Sequence, residues 1–251
     1  MGASLIENRR FAMRIDKVLS NLGYGSRKDV KKLLKDGAVK VNNVVVKDAK
    51  QHVDPEKDSV TLNGEEIQYR EFIYLMMNKP PGVISATEDN RDETVIDLLE
   101  VEDLVFEPFP VGRLDKDTEG LLLITNDGQL SHRLLSPKKH VPKTYFAVID
   151  GEVTDEDIEA FKNGVTLDDG YETKPGELVI LKSGFTSDIE LTITEGKFHQ
   201  VKRMFQAVGK RVIYLKRLSM GPLMLDETLE LGEYRELTDE ELEMLTTYEP
   251  I

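Results

Sequence analysis

Residues 112–124 read Gly-Arg-Leu-Asp-Lys-Asp-Thr-Glu-Gly-Leu-Leu-Leu-Ile, a charged loop that is bounded by glycines and runs directly into an apolar strand. Asp115, Asp117 and Glu119 occupy alternate positions of this loop, so their side chains cannot all point the same way. Asp115 lies between two cationic neighbours, and an ionised carboxylate in such a loop can act as a nucleophile or a base. Two alternatives stay open here: a charged turn without chemistry, and a glycoside hydrolase pair in which Asp117 or Glu119 supplies the second carboxyl.

The chain around this loop, 74–251, predicts an α+β domain built on a mixed, mainly antiparallel sheet. The predicted strands vary in spacing and do not alternate regularly with helices, which argues against a doubly wound parallel sheet. Two of the predicted helices are marked by capping boxes that begin at Thr154 and Thr238. The predicted strands cover 74–77, 121–125, 144–149, 177–181, 189–194 and 212–215, and the predicted helices cover 129–135, 155–163, 199–208 and 239–245.

The preceding stretch, 13–68, predicts a separate small α/β module of two helices followed by two short hairpins, with a polar linker over 69–73. Ser26 and Asp29 form a capping box that starts the second helix. Asn63-Gly64 is a strong type I′ turn signal. At 100° per residue, the second helix has an apolar sector and an opposite basic sector. The basic sector consists of Arg27, Lys28, Lys31, Lys32 and Lys35.

The charge of the chain is segregated along the sequence. Of 251 residues, 33 are Lys or Arg and 47 are Asp or Glu, which gives a net charge of −14. This average hides two basic segments: 14–50 has ten basic and four acidic residues, and 197–217 has seven basic and no acidic residues. Such segments can bind a polyanion locally although the chain as a whole is acidic, and ordinary solvated faces are the alternative interpretation.

Several classes of protein are excluded by what the sequence lacks. No apolar run approaches the ~18 residues of a membrane span. No secretory signal pattern opens the chain, and residues 1–12 are left out of the fold prediction as a leader. The absence of cysteine excludes disulfides, thiolate catalysis and Cys-bound metals, and the four histidines include no pair at metal-ligand spacing. We therefore expect a cytoplasmic protein that binds neither a metal nor a membrane.

Three further stretches carry residues that are typical of a site. In Glu-Gly-Lys-Phe-His-Gln-Val-Lys-Arg-Met-Phe, residues 195–205, Lys202 and Arg203 lie near the start of a predicted helix. Cations are mildly unfavourable there, so their placement indicates a partner anion. His199 alone is more typical of a hydrogen-bonding or phosphate-contacting residue than of a catalyst. The other two stretches are Lys-Thr-Tyr at 143–145, which opens a strand, and Asn-Lys-Pro-Pro-Gly at 78–82, which ends one in a rigid turn.

In this order the motifs resemble those of the RsuA-like pseudouridine synthases, which isomerise uridine in ribosomal RNA, and 13–68 resembles the S4-type RNA-binding module. The S4 resemblance rests on Arg-Ile-Asp-Lys-Val-Leu at 14–19, Ser-Arg-Lys at 26–28 and Gly-Ala-Val-Lys-Val-Asn at 37–42. The synthase resemblance rests on 78–82, 112–115 with 118–123, 143–145, and 195–196 with 199–205. Together they cover almost the whole chain after the leader. The motif at 195–205 is similar to that of the subgroup acting on small-subunit 16S RNA.

The resemblance implies a role for several residues. It implies three catalytic residues: Asp115 as the catalytic carboxylate, Tyr145 as the ring that stacks on the extruded uracil or handles a proton, and Lys202 as the cation that pairs with the aspartate. Arg203 is the neighbouring candidate for that cation, and Arg113 is expected to hold the phosphate of the flipped nucleotide. Substrate or RNA contacts are implied for Arg113, Arg203, His199, Arg14, Lys17, Ser26, Arg27, Lys28, Lys31, Lys32 and Lys35.

The implied function is the conversion of uridine to pseudouridine in 16S rRNA, at a uridine-516-type site. The implied partner is ribosomal RNA or the assembling small ribosomal subunit, and we expect a monomer. The net reaction is an isomerisation, so no cofactor is expected. A large-subunit (23S) rRNA synthase of the same family and a non-catalytic rRNA-binding assembly factor are the alternatives.

Overall fold

The computed structural model describes residues 13–54, 57–67 and 70–249. These residues divide into two compact units: those within 13–72 together with Val101–Glu107, and Ile73–Glu100 together with those within 108–249. The predicted leader lies outside the described residues. The predicted division into 13–68, 69–73 and 74–251 stays a prediction. Val101–Glu107 belongs to the first unit in the structure, and the prediction placed it in the second domain.

The first unit contains the two predicted helices, preceded by a two-residue strand. Ser26 caps the second helix through the Asp29 amide, while the Asp29 carboxylate accepts from the Ser26 amide, so the predicted capping box is confirmed. Val30 and Leu34 are buried, whereas the basic sector of this helix is exposed. The helical and extended segments of this unit are β1 (Met13–Arg14), α1 (Ile15–Asn21), α2 (Arg27–Lys35), β2 (Val39–Val41), β3 (Val44–Val45), β4 (His52–Val53), β5 (Val60–Leu62), β6 (Glu65–Ile67) and, further along the chain, α3 (Val101–Leu104).

Both predicted hairpins of the first unit are confirmed. The sheet order is β3-β2-β5-β6, with β2 paired to β3 and β5 to β6 in antiparallel fashion. Asn63 and Gly64 have φ values of 53° and 91°, which is the left-handed pair that a type I′ turn requires. The additional antiparallel pair β1–β4 was not predicted, because two-residue strands carry no periodicity.

The second unit contains a nine-stranded sheet with helices packed on it. Leu130 and Leu134 of α4 and Leu245 of α7 join one hydrophobic core with the strands. Among the described residues, no helix is both long and apolar enough to span a membrane. The elements are β7 (Tyr74–Lys79), β8 (Phe109–Val111), β9 (Glu119–Thr125), α4 (Gly128–Leu135), β10 (Lys143–Asp150), α5 (Asp155–Asn163), β11 (Glu177–Lys182), β12 (Thr186–Ile193), α6 (Gln200–Ala207), β13 (Arg211–Met220), β14 (Leu223–Met224), β15 (Tyr234–Glu236) and α7 (Asp239–Thr247).

The order of strands confirms the predicted α+β class with a mixed, mainly antiparallel sheet. The sheet runs β11-β12-β10-β13-β9-β7-β15, with β14 on β13 and β8 on β9. The pair β9–β13 is parallel, and the other described pairs of this sheet are antiparallel. The capping boxes at Thr154 and Thr238 are both present.

The parallel pair brings two distant site segments together. Gly120 lies opposite Arg217 in this pair, with φ of +100°. A Cβ atom at Gly120 would clash with the backbone of Arg217, so glycine is required both by the dihedral angle and by the close approach. The charged loop that precedes Gly120 is thereby tied to the middle of β13.

Candidate active site

The second unit holds a cavity of about 860 Å³ beside the charged loop. Its lining includes the predicted residues Arg113, Asp115, Tyr145 and His199, together with Lys143 and Arg217. Tyr145 is 8% exposed and lies on β10 opposite Leu191 of β12 and Arg217 of β13. The structure therefore brings four of the predicted site residues to one concavity.

The loop around Asp115 is held by side chains from other segments. On one side, the Ser85 hydroxyl donates to the Leu114 carbonyl and accepts from the Leu114 amide, both at 3.1 Å. On the other side, the Lys79 ammonium donates to the carbonyls of Thr118 at 2.9 Å and Lys116 at 3.4 Å. These bonds fix the backbone on both sides of Asp115, so its carboxylate is presented from a rigid loop.

Lys79 is fully buried at this position, which the sequence did not predict. Burial lowers its pKa to about 8, although the carboxylates of Asp117, Asp115 and Glu119 favour the charged form. Its position between the predicted strand 74–77 and Pro80 gives no signal of such burial, because lysine is among the residues that are least often buried.

Asp115 is contacted by two side chains from the segment at the start of α6. The Lys202 ammonium lies 3.0 Å from Asp115 Oδ2, and His199 Nε2 lies 3.6 Å from Asp115 Oδ1. The same ammonium lies 2.6 Å from Asp117 Oδ1. The pairing that the resemblance implied for Asp115 and Lys202 is thus present, with a second carboxylate that was not predicted as part of it.

The contact between Lys202 and Asp117 shifts the pKa values of both side chains. Burial alone would raise the pKa of Asp117, but its hydrogen bond to Lys202 and the charge of Lys202 hold this pKa below its usual range. Burial alone would lower the pKa of Lys202, but the hydrogen bonds to Asp117 and Asp115 raise it above its ordinary value. Lys202 is therefore a permanent cation at neutral pH.

A buried carboxylate anchors the turn that carries His199 and Lys202. Glu195 is 8% exposed and accepts hydrogen bonds from the Tyr171 hydroxyl at 2.7 Å, the Lys174 amide at 2.9 Å and the Gln200 side chain at 2.8 Å. Sequence reasoning assigned Glu195 only to the family motif. Its local signal is the spacing to Gln200, which brings the two side chains together at the helix start.

Arg203 does not lie beside Asp115. Its guanidinium forms ion pairs with Asp168 at 2.5 Å and Asp169 at 2.7 Å. The hypothesis that Arg203 is the alternative cation for Asp115 is therefore wrong, because Lys202 and Arg203 project from α6 in different directions. An RNA contact of Arg203 would have to compete with these two carboxylates.

The predicted RNA-binding residues of the first unit are exposed, and some already have partners. Arg14 donates two hydrogen bonds to the buried carboxylate of Asp16, at 3.0 Å and 2.6 Å. The Ser26 hydroxyl is engaged with Asp29 in the helix cap. The side chains of Lys17, Arg27, Lys28, Lys31, Lys32 and Lys35 are exposed. Within the described residues, no three potential ligands cluster as they would around a metal ion.

Lys143 gives a testable pH dependence of stability. Burial, reinforced by the charge of Arg217, lowers its pKa to about 8. Between pH 8 and its ordinary pKa of about 10.4, the unfolded chain holds a proton that the folded chain has lost, so stability rises with pH in this window. We expect the free energy of unfolding of the wild type, relative to the Lys143→Met variant, to increase by roughly 1–3 kcal/mol between about pH 7 and pH 10.

Urea unfolding at several pH values measures this difference. Lys79 titrates in the same range in both proteins, so the comparison isolates Lys143. If the difference in free energy of unfolding between the wild type and Lys143→Met stays the same at all these pH values, the prediction is wrong.

Comparison with known proteins places these features in a family context. The model described as RNA pseudouridylate synthase matches residues 73–207, and the model described as S4 domain matches 13–60. An uncharacterized RNA pseudouridine synthase of Bacillus subtilis is 61% identical over 93% of this chain and 98% of its own length. A ribosomal small subunit pseudouridine synthase A of Vibrio cholerae is 44% identical over 92% of this chain and 98% of its own length.

A large-subunit synthase and a solved structure are also similar to this chain. A ribosomal large subunit pseudouridine synthase B of Bacillus subtilis is 39% identical over 92% of this chain and 95% of its own length. A solved structure described as a pseudouridylate synthase superposes with a TM-score of 0.65 at 38% identity, covering 93% of this chain and 99% of that one.

Proposed function

The chain belongs to the RNA pseudouridylate synthase family and carries an S4 domain, and from that premise we propose that it converts one uridine of 16S rRNA, at the uridine-516-type site, to pseudouridine. The observation that carries the chemical part of this proposal is the ion pair between Asp115 and Lys202 at the cavity that Tyr145 lines. A glycoside hydrolase pair with Glu119 receives no support, since Glu119 accepts a hydrogen bond from Tyr214 and is not among the cavity-lining residues.

The reaction moves one glycosidic bond within a single nucleotide. The C1′–N1 bond of uridine breaks, the uracil turns, a C1′–C5 bond forms, and the proton of C5 is replaced by one on N1. Atoms and electrons balance without an oxidant, a reductant or a second substrate. Asp115 would attack the sugar or remove a proton from it, and in either role it must be ionised, which the adjacent Lys202 ammonium favours.

The uridine must leave the RNA stack to reach Asp115. Unstacking costs a few kcal/mol, which contacts in the pocket must offset. The cavity of about 860 Å³ is large enough for one nucleotide, and Tyr145 offers a ring on which the uracil would stack. Arg113 is exposed and lines the same cavity, so it would contact the phosphate of the extruded nucleotide.

The S4 domain would supply affinity that does not depend on the cavity. All five residues of the basic sector of α2 are exposed. Exposed cations of this kind contact phosphates, which adds affinity and leaves selectivity to RNA shape.

The choice of 16S rRNA as substrate rests on the relatives. The synthase of Vibrio cholerae that is named for the small subunit is 44% identical, and the synthase of Bacillus subtilis that is named for the large subunit is 39% identical. Because these two sequence identities differ by little, 23S rRNA is the second candidate for the substrate.

The test is to map pseudouridines in 16S and 23S rRNA from cells with and without this gene. We expect one 16S pseudouridine to disappear and to return when the wild-type gene is restored, but not with a gene that encodes Asp115→Asn. Loss of a 23S pseudouridine instead would overturn the proposed target. Unchanged maps would favour a non-catalytic assembly factor.

A further inference from the structure

Phe198 is an exposed aromatic ring at the edge of the cavity. Its side chain is 75% exposed, and it is one of the residues that line the cavity. Its ring stacks on the imidazole of His199, with 3.7 Å between the centroids and 20° between the planes. The apolar residues that follow on α6 are buried, namely Val201, Met204 and Phe205. Phe198 therefore contributes little to the core, and its ring is free to contact a ligand at the edge of the cavity.

The backbone holds this aromatic pair in a defined position. His199 has a φ of 49°, in the left-handed region that non-glycine residues seldom adopt. The turn is kept there by hydrogen bonds that close over Phe198: the Lys197 amide donates to Gln200 at 2.8 Å, and Arg203 donates to the Phe198 carbonyl at 3.4 Å. Such strain is retained at positions where a site has to be preorganised.

The stacked rings of Phe198 and His199 lie between the exposed edge of the cavity and the carboxylate of Asp115. One face of the imidazole stacks on Phe198, while its Nε2 lies 3.6 Å from Asp115. The exposed cations Lys197 and Arg113 also line the cavity, so the surroundings of the ring suit an RNA backbone. Because Phe198 and His199 lie between the exposed edge of the cavity and Asp115, we expect a nucleotide that flanks the extruded uridine to lie near this edge.

We propose that Phe198 is a stacking platform for the base of a nucleotide adjacent to the extruded uridine. Extrusion removes one stacking partner from each flanking base, and single-stranded RNA is commonly bound by stacking its bases on aromatic side chains. The proposal rests on the proposed function, because it requires that the target uridine enters the cavity beside Asp115.

A tryptophan reporter tests the contact directly. The chain contains no tryptophan, so Phe198→Trp introduces a single tryptophan, whose fluorescence can be excited apart from that of the eight tyrosines. Phe185 provides the matched control, since it is 92% exposed, belongs to the same unit and does not line the cavity. We expect the fluorescence of Phe198→Trp to fall when the RNA fragment modified by the wild type is added, and that of Phe185→Trp to stay unchanged. An equal response of the two variants would overturn the proposal.

Kinetics on altered RNA test the partner of the ring. We expect Phe198→Ala to weaken RNA binding and raise KM about tenfold with little change in kcat, Phe198→Trp to restore the wild-type values, and Phe185→Ala to have no effect. With an RNA that is abasic at the flanking position, the wild type and Phe198→Ala should bind equally. A tenfold difference that persists on RNAs abasic at either flanking position would show that Phe198 does not stack on a base.

The two proposals fail in different ways. The wild type is first assayed on 16S and 23S fragments, and the variants are then compared on whichever RNA it modifies. If the wild type modifies only 23S RNA, the proposed target is wrong while the comparison of Phe198 variants proceeds unchanged. The thermal unfolding midpoint of each variant excludes misfolding as the cause of a loss.

Discussion

Replacing Asp115 by asparagine is expected to lower kcat for pseudouridine formation by at least about 10³-fold, which corresponds to about 4 kcal/mol of transition-state stabilisation. The amide has nearly the same shape as the carboxylate, but it can neither attack the sugar nor remove a proton from it. Lys202 would also lose one of its two anionic partners, while the partner at Asp117 remains. Tritium release from RNA labelled at C5 of uridine measures the rate.

Asp117→Asn is the matched control for this variant. Asp117 shares the Lys202 ammonium with Asp115, but 73% of its side chain is exposed and it is not among the cavity-lining residues. We expect a loss of less than about tenfold, because an exposed ion pair contributes at most about 1 kcal/mol. Equal losses for the two variants, or RNA binding by Asp115→Asn that is much weaker than that of the wild type, would contradict the catalytic assignment of Asp115.

Replacing Lys202 by methionine is expected to lower kcat about 10²-fold with little change in KM. Methionine keeps most of the length of the side chain but removes the ammonium that lies between Asp115 and Asp117. Two neighbouring carboxylates then repel each other, and misplacement of a reacting group by about 1 Å can cost about 10²-fold in rate. Lys202 acts in this view as a positioning residue, since it contacts Asp115 and is not among the residues that line the cavity for the uridine.

The Lys202→Arg variant separates charge from packing. Arginine restores the cation with a different geometry, so kcat should recover by about tenfold relative to methionine and remain below that of the wild type. Arg203→Met is the control, because Arg203 lies next in the chain but pairs with Asp168 and Asp169. A loss of kcat for Arg203→Met as large as that for Lys202→Met would mean that the charge of the helix, and not its contact with Asp115, matters.

Several parts of the fold could be predicted because their causes are local. The capping boxes of α2, α5 and α7 and the Asn63-Gly64 turn each depend on residues within four positions of one another. The alternation of apolar Ile189, Leu191 and Ile193 with polar residues likewise predicted β12, and the side chains of these three residues are buried. Strand β13 was predicted too short, at 212–215, because buried Arg217 and Ser219 interrupt its apolar pattern.

The sequence by itself determined the α+β class, the two modules, the loop with Asp115 and the basic face of α2, since turns, caps and periodicity act over a few residues. Only the tertiary structure decided which charges meet. The parallel register of β9 and β13 joins segments more than eighty residues apart. In the folded chain the Lys202 ammonium contacts both Asp115 and Asp117, whereas Arg203 pairs with Asp168 and Asp169. The physical reason is that an ion pair depends on distance in space, and the order of charges along the chain does not contain that distance.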